Sequence, residues 1–368
     1  MCGMGRETHE MQIDRQTFER QRRPRFGTSN PERMRLAFWE WMIRGDETPP
    51  AESEDILGKF GMMMREGVLK SGYGPYRARD LFQVPLDRND GPIWTFERMG
   101  ATRTELPDGR VVCVGGEHED HYDPDFCIYN DVVVLGPADQ VEIYGYPRDV
   151  FPPTDFHTAT LLGDRIIIVG RLGYPEERRP GHTPVYSLDP SGYSVTEIPS
   201  KGEAPGWLFE HEAELGPDGL ITVRGGRIIQ RQEGRERFRR NVEEYALDIR
   251  TGAWRRITDR NWCQFSVRQE DFRRFVLEAA PDRESLYPST VYHAVEPCED
   301  YRSVRFSVLG VPVSVTDETG AIEIIIEGEL PDELADRIGE DVRHNVEAAI
   351  GRPCVLERVE PFAPPRAR

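Results

Sequence analysis

No run in this 368-residue chain approaches the roughly 18 consecutive apolar residues of a membrane-spanning helix, so an α-helical membrane protein is excluded. The polar, arginine-bearing N-terminus also lacks the apolar centre of a secretory signal, and the expectation is a soluble, cytoplasmic protein with no membrane contact. Cysteine is sparse and unpaired: Cys2, Cys113, Cys127, Cys263, Cys298 and Cys354 form no CxxC, which argues against a zinc ribbon or a disulfide scaffold. Positive charge is in deficit, 47 Lys and Arg against 65 Asp and Glu, and the formal net charge of -18 repels nucleic acid at long range. General nucleic-acid binding is therefore not expected. The G-x-S-x-G elbow, the P-loop, the dinucleotide fingerprint and H-E-x-x-H are all missing, and the common enzyme classes lose their signatures with them.

What the chain does have is a repeat. The segment FHTATLLGDRIIIVG, Phe156 to Gly170, has a counterpart upstream in TRTELPDGRVVCVGG, Thr102 to Gly116, and another downstream in HEAELGPDGLITVRGG, His211 to Gly226. Each is a short strand, a turn rich in Gly and Asp, an apolar strand and a glycine stop. Aligned on Leu106, Leu161 and Leu215, the spacing is close to 55 residues, a period that points to a solenoid or propeller. Every unit has a second half, at Asn130 to Pro147, Pro184 to Pro205 and Asn241 to Thr258, which reads as two further strands joined by a turn. Four strands per unit make a propeller blade.

Around this array the chain divides into four parts. Residues 1–29 are charged and poor in aliphatics, and the expectation is a flexible or loosely docked arm. Residues 30–91 form a helical N-terminal segment: Asn30-Pro31 reads as a helix start and Gly45 as its stop, with Leu36, Trp39 and Met42 in an apolar stripe that buries against its own chain. A second helix is expected over Ile56 to Leu69. Residues 92–262 hold the repeats. Residues 263–368 read as an α+β module: a short helix over Gln269 to Ala279, several strands, an amphipathic helix after Pro331 with Leu334, Ile338, Val342, Val346 and Ile350 four apart, and a last strand.

The pattern of repeat residues resembles the Kelch repeats of β-propellers. The best matches are His157-Thr158-Ala159 with Gly170, Tyr186 and Asp189, and His211 with Gly225-Gly226, Tyr245, Asp248 and Trp254. Thr102 stands in the histidine position of the first unit, and Arg171 where the second unit would have its second glycine. The fold class is accordingly mainly β, a Kelch-like propeller or partial propeller with N-terminal helices and a C-terminal α+β module. Kelch propellers close with five to seven blades, so the three complete units imply divergent flanking blades, a homodimer completing or covering the propeller, or helices capping an open arc.

Chemistry is expected in the three loops that come after the glycine stops. The first, residues 117 to 129, groups His118, His121, Asp123 and Asp125, ligand types suited to a divalent transition metal, with Glu117 or Glu119 available as a base. The third, residues 227 to 241, brings together Arg227, Arg231, Arg235, Arg237, Arg239 and Arg240, and the second adds Arg171, Arg178, Arg179 and His182. Guanidinium forks recognise phosphates and carboxylates, so these residues form a candidate anion-binding surface; the competing expectation is that they pair with the acidic loop. His157 and His211 belong to the repeated pattern and are expected to support the scaffold. Together these features point to a noncatalytic recognition protein that binds a protein or anionic ligand through loops on a rigid scaffold, with no cofactor. A metal-dependent enzyme with a His/carboxylate site and an acidic inhibitor or immunity-type protein are the rival readings.

Overall fold

The computed structural model describes residues 13–44, 78, 82–83, 91–120, 123–232, 234–269, 293–296, 303–318 and 320–359. The protein is mainly β, and its contacts divide it into two compact units. One comprises Met1–Ile168, Leu172–Glu177 and Tyr186–Glu197; the other comprises Val169–Arg171, Arg178–Val185 and Ile198–Arg368.

The first unit opens with helix α1 (Arg15–Gln21), inside the stretch expected to be an arm. Asp14 caps it, accepting a hydrogen bond from Thr17 N at 2.7 Å, and Phe18 is buried. The helix expected to start at Asn30 starts later. Strand β1 (Glu32–Arg33) intervenes, because Glu32 is engaged by Thr28 and Arg25 and its backbone pairs with a sheet edge; helix α2 then runs over Ala37–Arg44. The tryptophan stripe is buried in its own unit, with Trp39 stacked on Trp94 at 4.7 Å. The second expected helix lies outside the described residues.

The first repeat folds as a four-stranded meander of β2 (Thr102–Glu105), β3 (Val111–Val114), β6 (Val132–Leu135) and β7 (Val141–Gly145). Between its second and third strands it carries the hairpin β4 (Glu117–Asp120) and β5 (Asp123–Ile128). Its central strands are apolar at successive positions because both faces are covered: Cys113, Val133 and Ile143 meet the helices, while Val112, Val114, Val132 and Val134 meet the next sheet. A buried Arg98–Asp131 pair, 3.0 Å between Nη2 and Oδ2, lies at its edge, where Trp94 Nε1 also donates to Asp131 at 2.7 Å. Removing either partner would leave a bare charge in the core. The second repeat is the sheet of β8 (Thr158–Leu162), β9 (Arg165–Val169), β10 (Val185–Leu188) and β11 (Val195–Glu197), in the same order.

In the second unit, β12 (Lys201–Gly202) and β13 (Trp207–Phe209) lead into the third repeat. Its meander is β14 (Glu212–Leu215), β15 (Ile221–Arg224), β18 (Tyr245–Asp248) and β19 (Ala253–Arg256). Again an insertion comes after the second strand, here the hairpin β16 (Arg227–Gln232) and β17 (Arg235–Arg240), to which β13 adds a third strand. The C-terminal part is a six-stranded sheet of β20 (Cys263–Gln269), β21 (His293–Glu296), β22 (Ser303–Val308), β23 (Val311–Glu318), β24 (Ala321–Ile326) and β25 (Cys354–Arg358). Its order is β21-β22-β23-β24-β20-β25. Helix α3 (Asp332–Ile350) covers one face, placing Ala335, Ile338, Val342 and Val346 against Phe265, Val267, Val315 and Ile324. The helix expected over Gln269 to Ala279 falls beyond Gln269, outside the described residues.

Candidate functional site

The first two glycine stops share one backbone contact. At the first, Gly115 carries φ +55° and a Cβ there would fall on Thr154 O, while the next amide, Gly116 N, donates to that carbonyl at 2.8 Å. At the second, Gly170 carries φ +71°, a Cβ would fall on Leu208 O, and Arg171 N donates to Leu208 O at 3.0 Å. Thr154 and Leu208 each stand three residues before a repeat histidine, His157 and His211, so the same backbone carbonyl closes both junctions. Only glycine leaves room for it.

The histidines are part of this packing. His157 Nε2 lies 2.7 Å from Thr102 Oγ1, the residue at the same position of the first repeat. His211 is fully enclosed, a Cβ on Gly170 would come within 2.8 Å of its ring, and burial pushes its pKa down to about 3.

The third junction differs. Gly225, at φ +64°, has nothing within 4 Å of where a Cβ would sit, and Gly226 N makes no bond to a following carbonyl among the described residues. The space it faces is a cleft of about 390 Å³ between the third meander and β22, β23 and β24, bordered by Arg224, Gly225, Gly226, Arg240, Arg260 and Arg305 together with Glu210, Glu212, Glu244, Glu327, Ser303, Ser314 and Thr316. Every carboxylate on this wall has an arginine. Glu212 pairs with Arg224 at 2.9 Å and Glu210 with Arg227 at 2.7 Å; Arg260 serves Glu244 at 3.7 Å and Glu327 at 4.0 Å. Arg240 and Arg305 have no carboxylate within ion-pair distance among the described residues.

The arginines singled out from sequence all lie in the second unit, and most are spoken for. Arg227 bridges Glu210 and, at 3.3 Å, Glu318. Arg178 and Arg231 meet Glu236 at 2.7 and 3.7 Å; Arg237 and Arg239 meet Glu357 at 3.3 and 3.4 Å. Arg171 is buried with its guanidinium 5.0 Å above the Trp207 ring. Arg179 and Arg235 are exposed, and His182 is half-buried with its amide bonded to Arg179 O. The arginine segment is thus a hairpin rather than a loop, and the carboxylates on Arg237, Arg239 and part of Arg227 come from the polar face of the C-terminal sheet, where Gln264, Glu318 and Glu323 are buried. The acidic segment is likewise a hairpin, and it lies in the other unit.

In that acidic hairpin His118 sits on β4 with Nδ1 3.1 Å from Glu97 O, paired across the ladder with Cys127; Asp123 and Asp125 lie on β5, and His121 is outside the described residues. Among the described residues, no three His, Cys, Asp or Glu side chains are placed to hold a metal ion. Sequence reasoning missed Arg224, Arg260 and Arg305, and with them the buried Glu318 and Glu323 and the half-buried Glu357. A signal was present: a charge inside an otherwise apolar or alternating strand, as in AIEIII and SVRFSV, calls for a partner across the sheet face.

No protein-family model matches the chain, and no curated protein matches it. Among solved structures, MPT-1, a GDP-Man-dependent mannosyltransferase from Leishmania mexicana, aligns over 66% of this chain and 70% of its own at 10% identity, with a TM-score of 0.29. A superposition that loose carries no argument.

Proposed function

We propose that this chain is a noncatalytic recognition protein built on a Kelch-like array of propeller blades, binding a protein or anionic ligand through the insertions after the stop glycines. The observation that carries the reading is the sameness of the three meanders against the inequality of the segments inserted after their second strands: a hairpin dense in carboxylates, a single 3-10 turn at Pro175–Glu177 and a hairpin dense in arginine. A constant scaffold with unequal insertions is the layout of a binding surface. Ion pairs set the shape of the arginine hairpin, and its Arg231 and Arg235, with Arg179, are solvent-exposed guanidiniums, the ones a partner would meet first. The test is affinity capture with the full chain and with an Arg179→Ser, Arg231→Ser, Arg235→Ser variant, both checked for unchanged folding by circular dichroism. The partners retained by the wild-type chain should be lost from the variant; identical retention would remove this surface from the reading.

A further inference from the structure

We infer that the cleft at the third glycine stop is a binding site for a small, multiply charged oxyanion bearing carboxylate or phosphate groups. This deepens the anionic-ligand half of the proposed function and rests on it, but it moves the site from the hairpin tips to the junction with the C-terminal sheet.

Three independent features meet at the cleft. The first is an unmatched pair of cations: once Arg224 and Arg260 have served the carboxylates of the wall, Arg240 and Arg305 are left over. Arg240 is half-buried, and it influences the buried Glu318 only from beyond ion-pair distance. Guanidiniums bordering a recess with no carboxylate at ion-pair distance offer their forks to an oxyanion. The second is the Gly226 amide. Its counterparts, Gly116 N and Arg171 N, each donate to the carbonyl of a following segment, at 2.8 and 3.0 Å; among the described residues no following carbonyl meets Gly226 N, and Gly226 borders the cleft. A ligand oxygen would take the place that Thr154 O and Leu208 O fill at the earlier junctions. The third is the opposite wall, where the hydroxyls of Ser303, Ser314 and Thr316 add neutral partners of the kind that orient a polar ligand. The Ser303 and Thr316 hydroxyls, 2.9 Å apart, are already mutually ordered. A recess of about 390 Å³ lies in the range that holds a metabolite rather than a lone ion.

Citrate and inorganic phosphate are the probes, titrated separately into the full chain at constant ionic strength, with chloride as the control, and followed by calorimetry and by the amide resonance of Gly226. At least one should bind saturably below about 10 mM and shift that resonance. Arg305→Gln, at an exposed position, should weaken binding about tenfold or more, whereas Arg250→Gln, on an exposed turn outside the cleft, should leave it unchanged. Citrate binding alone identifies a carboxylate site, and phosphate binding alone a phosphate site. Binding that falls with Arg235→Gln but not with Arg305→Gln would overturn the cleft while leaving the hairpin reading standing. If neither anion binds saturably, the cleft assignment fails, and partner capture by the hairpins is judged separately by the triple variant.

Discussion

At the scale of single residues, the informative groups are the charged ones that the fold takes out of water. Glu323 is fully buried on the polar face of the C-terminal sheet, where it accepts from Gln264 Nε2 at 2.7 Å. Burial pushes its pKa up from 4.5 to about 7, with Arg239 opposing. A carboxyl whose folded pKa is raised holds its proton longer in the folded state, so folding stability falls as pH rises from about 4.5 to about 7 and is level above that. Glu323→Gln keeps the shape and removes the titration. Urea unfolding of both proteins should give a difference in favour of the variant that grows across this window to on the order of 3 kcal/mol at pH 8. A difference that does not change with pH would show that Glu323 titrates normally. His211 works in the opposite sense: with its folded pKa lowered to about 3, it costs stability as pH falls below its ordinary value of 6.5.

At the scale of elements, the stop glycines at Gly115 and Gly170 make room for a backbone carbonyl of the segment that follows. Gly170→Ala places a methyl group against the Leu208 carbonyl and the His211 ring at φ +71° and is expected to cost roughly 2–4 kcal/mol. Gly225→Ala meets open space at φ +64°, so only the backbone penalty of about 1–2 kcal/mol remains. Thermal or urea unfolding of the two variants reads the contrast, and equal losses would mean that the junctions are not what makes Gly170 obligatory. The meanders were legible in the sequence because their signals are local: an apolar strand, a Gly/Asp turn whose carboxylate bonds back to the chain, as Asp108 does to Arg110 N at 3.1 Å, and a glycine. The insertions were not legible as strands. EHEDHYDPDFCI and RIIQRQEGRERFRR lack clean alternation, and the second is a hairpin because β13 pairs with it and Glu318 and Glu357 wait opposite its arginines. Those partners stand 91 and 120 residues further along the chain, beyond any local pattern. The start of α2 was misplaced for a related reason: the signal at Asn30-Pro31 is real, but pairing of Glu32 with Gly145 outweighs it.

At the scale of the whole molecule, the distribution of charge is lopsided. Of 47 basic residues only Lys59, Lys70 and Lys201 are lysines, so nearly every cation is a planar fork able to hold two carboxylate oxygens or to lie on an aromatic ring, as Arg171 lies over Trp207. Some of these guanidiniums, such as those of Arg98, Arg178 and Arg239, are paired largely out of water, and the chain as a whole carries a formal charge of -18. Self-repulsion at that level predicts a melting temperature that rises as sodium chloride goes from about 10 to about 150 mM, since screening weakens the long-range repulsion before it touches buried pairs. A melting temperature that falls with salt would assign the balance to exposed ion pairs instead. The open space at Gly225 has one more meaning. Among the described residues the first two stop glycines each lie against a following backbone carbonyl and Gly225 does not, so an extra repeat engineered into the chain would find at Gly225 a place for its own carbonyl.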